Sequence, residues 1–376
     1  MSHALLAGLL TGAVFGTALY KVTAIRYERV VGMLLLTDVK IMKFAFSTIS
    51  VAAFAYGLAD IFGLSEATGI APRVMAFTGW AHVAGGVLFG ASMAATGFCP
   101  GTAACRAGVN LGSTRFEALF AVVGLFLGVY VYALLKLPLQ GAGVIDAPQG
   151  LTLHGWMGMP YGPAAMLLGA LFLTLTALVD RYLPEVPSEP VTAPRGVLDR
   201  VRGEWHFFPA GALAGLTIVA ASMQDGYIGY SGSILAVYGW VADAIGQTSS
   251  LVPKVTDAIV WRAALIVGVV LGAALARLWS LPTQQEASPA ARPAAFDAAR
   301  SARVMLGAGG LSLGAMVGGG CTTGAFLSAF PTLSVGSFAM GTTFFASAMG
   351  TAWLMRRVGA VRLVGGRVQL PAVGRS

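Results

Sequence analysis

Three cysteines occur in 376 residues, and two of them stand at matching places. Cys99 follows the apolar run Gly85-Gly86-Val87-Leu88-Phe89-Gly90 and is embedded in Gly97-Phe98-Cys99-Pro100-Gly101-Thr102. Cys321 follows Gly309-Gly310-Leu311-Ser312-Leu313-Gly314 and is embedded in Gly318-Gly319-Gly320-Cys321-Thr322-Thr323-Gly324. A thiol is small and polarizable and is a weak donor and acceptor, so it suits a soft sulfur atom and holds a hard anion only loosely. Loose binding is what conduction requires, because a bound ion must leave again. The glycines and Pro100 interrupt a helix. A turn before a new helix N-terminus offers N–H donors and a positive dipole end to an anion, and Thr102, Thr322 and Thr323 add hydroxyls. Cys105 is the third thiol. Its spacing from Cys99 is neither a zinc-site spacing nor a Cys-x-x-Cys redox pair, and His3, His82, His154 and His206 are scattered. No metal or cofactor is expected, and neither is a disulfide framework.

The elements that carry these residues must lie in a bilayer. The chain is 56% hydrophobic and only 11% charged, against about 25% charged in soluble domains, and its mean hydropathy is +0.76. Its apolar runs have helix-spanning length and no ten-residue alternation, which predicts an all-α membrane protein and excludes an outer-membrane barrel. Fifty glycines let the helices approach closely. About nine spans are expected, near 4–20, 44–62, 77–96, 117–136, 161–180, 207–222, 259–279, 304–320 and 336–355. Basic residues cluster after the first span (Lys21, Arg26, Arg29, Lys40, Lys43), the fifth (Arg181, Arg195, Arg200, Arg202), the seventh (Arg277, Arg292, Arg300, Arg303) and the ninth (Arg356, Arg357, Arg362, Arg367, Arg375), whereas 63–76, 137–160 and 223–258 carry few. The positive-inside rule then sets the N-terminus outside and the C-terminus in the cytoplasm. The net charge of +8 is mostly this signature. No basic run is interleaved with aromatics, so nucleic acid is not an expected partner, whereas membrane lipid is. Trp80, Trp240, Trp261, Trp279 and Trp353 read as interfacial belt residues.

The chain divides into two halves, 1–183 and 206–376, joined by a proline-rich, charged cytoplasmic linker at 184–205. A second exposed linker is expected at 282–300. Gly8-x-x-x-Gly12 has a counterpart in Gly211-x-x-x-Gly215, and Gly85-Gly86-x-x-x-Gly90 has one in Gly309-Gly310-x-x-x-Gly314. With nine spans the third runs inward and the eighth outward, so the repeats are inverted and a site is expected near the midplane where they meet. Residues 97–112, 226–246 and 320–333 are too apolar for loops and too broken for spans, and they read as short re-entrant helices. A Gly-Tyr-Ser hinge, Gly226 to Ser233, enters the middle one, and Tyr227 and Tyr230 beside it are candidates for lining a pore.

The two cysteine motifs, together with Phe15-Gly16 near the end of the first span, make the chain resemble the YeeE/YedE family of sulfur-compound transporters over most of its length. The resemblance implies an inverted-repeat, hourglass-shaped bundle in the bacterial inner membrane. It also implies uptake of thiosulfate, passed between cysteine thiols at a constriction, with Cys99 and Cys321 as two of the relay thiols. Gly97, Pro100, Gly101, Thr102, Gly320, Thr322, Thr323 and Gly324 would shape that path. Thiosulfate-transporting members carry a further cysteine after the first span, in an Arg-rich Phe-Cys motif. Tyr20 to Tyr27 here contains none. Cys105 is the candidate substitute, and Lys21 or Arg26 a candidate anion contact at the cytoplasmic exit. A TusA-like or rhodanese-like sulfur carrier consuming the cargo inside would pull the flow. The alternatives are a related cargo (sulfide, sulfite or a selenium compound) or a membrane thiol–disulfide redox protein. The expected activity is transport rather than enzymatic turnover.

Overall fold

The computed structural model describes residues 2–110, 116–186, 196–224, 226–246, 255–281, 298–364 and 367–369. It is an all-α membrane protein. Helices stand at all nine expected positions: α1 (Ser2–Lys21), α3 (Lys40–Ile61), α5 (Ala81–Thr96), α7 (Phe116–Gly141), α9 (Tyr161–Tyr182), α11 (Phe207–Ser222), α13 (Asp257–Trp279), α14 (Ala298–Val317) and α15 (Val335–Arg357). Between them lie α2 (Tyr27–Leu34), α4 (Leu64–Thr68), α6 (Pro100–Val109), α8 (Leu153–Trp156), α10 (Val197–Arg202), α12 (Tyr230–Ala244) and a π-helix, Thr322–Ser328. By length and composition six stretches can cross a bilayer on their own, with Ala81–Val109 counted as one, and the bent pair Ala298–Val317 plus Thr322–Ser328 makes a seventh. The other two expected spans fall short for identifiable reasons: α11 has only 16 residues, and α15 carries Ser337, Thr342, Thr343 and Ser347 along its length.

Glycines set the packing and report the direction of each neighbour. Gly8, Gly12 and Gly16 of α1 press on Trp261, Leu265 and Val269 of α13, where a Cβ would come within 2.3, 2.0 and 2.4 Å of the carbonyl oxygens. Both series ascend, so α1 and α13 are parallel. Gly211 and Gly215 of α11 ascend along Phe44 and Thr48 of α3 in the same way. The Gly-x-x-x-Gly pair shared by the two halves therefore does the same work in each. Likewise Gly86 and Gly90 of α5 run parallel to Thr343 and Ser347 of α15, and Gly124 and Gly128 of α7 run parallel to Met305 and Gly309 of α14. In contrast, Gly85 meets Gly318 while Gly310 meets Ser92 and Gly307 meets Thr96. The matched helices α5 and α14 are antiparallel. All these directions agree with nine alternating crossings and an inverted relation between the helices that bear the two cysteine motifs.

The structure adds detail at the linker and after α15, and corrects the expectation for Trp261. The start and end of the linker 184–205 are exposed at Pro184 and at 196–198, yet hydrogen bonds and ion pairs tie them to the bundle. Val39 N donates to Pro184 O at 3.1 Å, Trp205 N donates to Lys21 O at 2.9 Å, and Glu185 and Glu204 pair with Lys43 and Lys40. Lys40 and Lys43 are buried, and a buried ammonium needs a partner. Residues 187–195 and 282–297 of the two expected linkers lie outside the described residues. Trp261 is not a belt residue: it is buried and its indole N–H donates to Gln224 Oε1 at 3.1 Å. Finally, a small antiparallel hairpin, β1 (Arg362–Val364) with β2 (Arg367–Gln369), follows α15.

Candidate substrate path at the two helix breaks

The first break begins where α5 runs out of side chains that tolerate its end. Gly97 takes φ +64°, a left-handed cap that favours glycine, and its N–H donates to Met93 O at 2.9 Å. Any Cβ there would also meet the Tyr27 ring at 2.1 Å. Cys99 is extended (φ −113°, ψ 172°) and caps α6, with Pro100 in the first turn, where its missing N–H costs nothing. A capping box closes over sulfur: the Thr102 N–H reaches the Cys99 side chain, and Cys99 N donates to Thr102 Oγ1 at 2.8 Å. The Thr102 hydroxyl lies 3.6 Å from Cys99 Sγ. The carbonyl freed at Gly97 accepts from Arg106 Nη2 at 2.7 Å, while Arg106 Nε donates to Ile25 O at 2.6 Å.

The second break is built on the same plan with other parts. Gly319 takes φ +84°, Cys321 is extended (φ −92°, ψ −178°), and a π-helix follows; π-turns cluster at functional sites. The axis bends 45° here. Gly318 O is held at 2.8 Å by His82 Nδ1, and His82 Nε2 accepts from Thr78 N at 2.9 Å. These two bonds fix the neutral tautomer with its proton on Nδ1. Nothing local in the sequence marks His82 for this role, because its partner lies 236 residues away. Arg106 was equally unmarked.

The expected site residues gather around these breaks. Cys99 and Cys321 lie within Coulombic range of each other, and Cys105 within that of Cys99. Cys99 is half-buried, while Cys105 and Cys321 are fully buried, and all three are free thiols. Cys105 Sγ also lies 3.9 Å from Gly16 O of α1. Thr322 Oγ1 lies 3.8 Å from Met93 Sδ, which brings the second break beside the last turn of α5. Thr323 is buried, and Gly320 packs on Ala325 of the π-helix. Tyr230 is 0% exposed. Its ring fills the space that a Cβ on Gly101 would take, at 2.3 Å, and it lies within Coulombic range of all three thiols. Among the described residues its hydroxyl has no hydrogen-bond partner. Tyr227 is hydrogen-bonded through its hydroxyl to Gly324 O.

Lys21 and Arg26 are placed elsewhere. They line a depression at the C-terminal end of α1 with Thr23, Ile25, Gly203 and Glu204. Lys21 Nζ donates to Arg202 O at 2.7 Å and to Gly203 O at 3.3 Å. Beside it, Arg29 holds Asp38 at 2.7 Å and Glu204 at 3.2 Å. Burial pushes the Asp38 carboxyl above the usual range, and the Arg29 guanidinium opposes that rise.

Comparison with known proteins fits this arrangement. The chain is 23% identical over 364 residues, spanning 93% of its own length and 98% of the relative's, to the thiosulfate transporter TsuA of Spirochaeta thermophila. A family model described as sulphur transport matches residues 27–354, most of the chain, and the protein therefore belongs to the sulphur transport family.

Proposed function

We propose that this protein takes up thiosulfate across the bacterial inner membrane through a constriction formed where the Cys99 and Cys321 breaks meet. The observation that carries the reading is the Tyr230 hydroxyl: buried and unpartnered among the described residues, it lies in Coulombic range of three free thiols. A buried donor without an acceptor costs about 1–3 kcal/mol, and an anion passing this point would supply the acceptor. The thiols match the soft terminal sulfur of thiosulfate and bind it weakly enough to release it. The helix N-termini after Cys99 and Cys321 offset part of the cost of removing a dianion from water. Cys105 stands in for the thiol that the family pattern places after the first span.

The whole-length relative, a thiosulfate transporter, supports this cargo. The basic clusters after the first, fifth, seventh and ninth spans support a cytoplasmic C-terminus and a periplasmic N-terminus. Moving each negative charge inward against the membrane potential costs about 2.3 kcal/mol per 100 mV. Consumption by a sulfur carrier at the cytoplasmic face, past the depression lined by Lys21 and Arg26, would draw the ion through. A related cargo such as sulfite or a selenium compound is the second reading, favoured by the absence of a cysteine between Tyr20 and Tyr27.

Uptake of 35S-thiosulfate into proteoliposomes tests both readings. We expect C99A, C321A and Y230F each to slow uptake about tenfold or more, the effect of losing a buried donor, at unchanged protein content. Unlabelled sulfite and selenite should compete less well than thiosulfate. Parent-like rates in both cysteine variants would sink the relay, and stronger competition by sulfite or selenite would reassign the cargo.

A further inference from the structure

The segments between spans on the outer face are poor in basic residues, yet two arginines from separate segments converge there on one tyrosine. Arg73 follows α4 and is exposed; its guanidinium lies 5.4 Å from the centre of the Tyr227 ring. Arg262, on the second turn of α13, is half-buried and lies in Coulombic range of both Arg73 and Tyr227. Its Nη1 is 3.7 Å from the position a Cβ on Gly232 would take, at the start of α12. Neither guanidinium makes a hydrogen bond or ion pair among the described residues. Two like charges within Coulombic range of each other, one of them half out of water, repel each other and, among the described residues, lack the carboxylate that ordinarily accompanies such a pair. Tyr227 connects them to the constriction, because its hydroxyl is bonded to Gly324 O just past Cys321 and it lies in Coulombic range of Cys321.

We infer that Arg73 and Arg262 form an anion-capture site at the outer mouth, which takes a doubly charged tetrahedral sulfur oxyanion before it reaches Cys321. This rests on the sulfur-anion reading above. Guanidinium forks match two oxyanion oxygens at once. The order of exposure makes a descent: Arg73 at the surface, Arg262 and Tyr227 half-buried, Cys321 fully buried. The site concentrates the anion by charge, which sulfate shares, and leaves selection for softness to the thiols below.

The two stages can be separated. In proteoliposomes, R73Q and R262Q should each raise the KM for 35S-thiosulfate about tenfold, the loss of one charge-assisted contact, with Vmax within about twofold. R73K and R262K should fall between. Equilibrium binding of thiosulfate to detergent-purified C321A measures the outer site without transport. We expect binding to C321A, competed by sulfate, and its loss in C321A/R73Q/R262Q, with matching size-exclusion profiles showing that the variants fold. No binding to C321A, or equal binding with and without the arginines, overturns the outer site whatever the uptake result. Conversely, wild-type protein that binds the anion through these arginines yet takes up no thiosulfate overturns the transport reading and leaves the outer site standing.

Discussion

The two breaks share a plan and differ in what holds them. At the first, the freed Gly97 carbonyl is clamped by Arg106, which also ties Ile25, and a regular α-helix follows behind Pro100. At the second, the freed Gly318 carbonyl is held by a neutral His82, and a π-helix follows a 45° bend. A guanidinium contributes charged bonds, which are roughly twice as strong as neutral ones. The first break is therefore the stiffer anchor and the second the more adaptable one. The lesson is that two helix interruptions of the same geometry can each satisfy their freed backbone groups with whatever side chain the neighbours supply. The adaptable break is also the one linked to Arg73, through Tyr227 and Gly324.

Substituting the left-handed glycines should break the comparison most visibly. G97A combines a positive φ, which costs about 1–2 kcal/mol, with the rigid Tyr27 ring 2.1 Å from the new Cβ. We expect it to abolish recovery of folded, monodisperse protein. G319A pays a similar backbone cost, but its nearest neighbour is the movable end of Met75 at 2.9 Å. It should be recovered with a lowered melting temperature, and equal recovery of both variants would remove the difference in stiffness. A smaller contrast should follow from the clamps. R106M leaves two carbonyls without charged donors, each worth about 1.5–3 kcal/mol, whereas H82Q replaces neutral bonds worth about 1 kcal/mol each. Thermal unfolding in detergent should rank R106M well below H82Q, and the reverse order would contradict the assignment of the first break as the stronger anchor.

Much of this was legible in the sequence, for physical reasons. Long apolar runs place helices at nine positions, because a bilayer leaves the backbone no other way to satisfy itself. The Gly8/Gly12 and Gly211/Gly215 pairs marked close helix contacts, and Cys99 and Cys321 marked the breaks. Other features depend on contacts far apart along the chain. His82 and Arg106 read as an isolated histidine and an ordinary basic residue, and only the folded bundle brings them to Gly318 and Gly97. The burial of Lys40 and Lys43 follows from Glu204, Asp180 and Glu185 arriving from across the linker. Trp261 resembles a belt tryptophan until Gln224 is placed beside it. The short helix α2, which puts Tyr27 against Gly97, had no periodicity long enough to announce it.

The central claim, that a sulfur anion passes between the two breaks, is tested most directly by protection of the thiols. Purified protein is treated with N-ethylmaleimide in the presence of thiosulfate or of equimolar sulfate, and modification of Cys99 and Cys321 is followed by mass spectrometry. Thiosulfate should slow modification of both cysteines with one shared concentration dependence, and sulfate should not. Unchanged modification at thiosulfate concentrations that saturate uptake, or protection of one cysteine alone, would contradict a constriction shared by the two breaks.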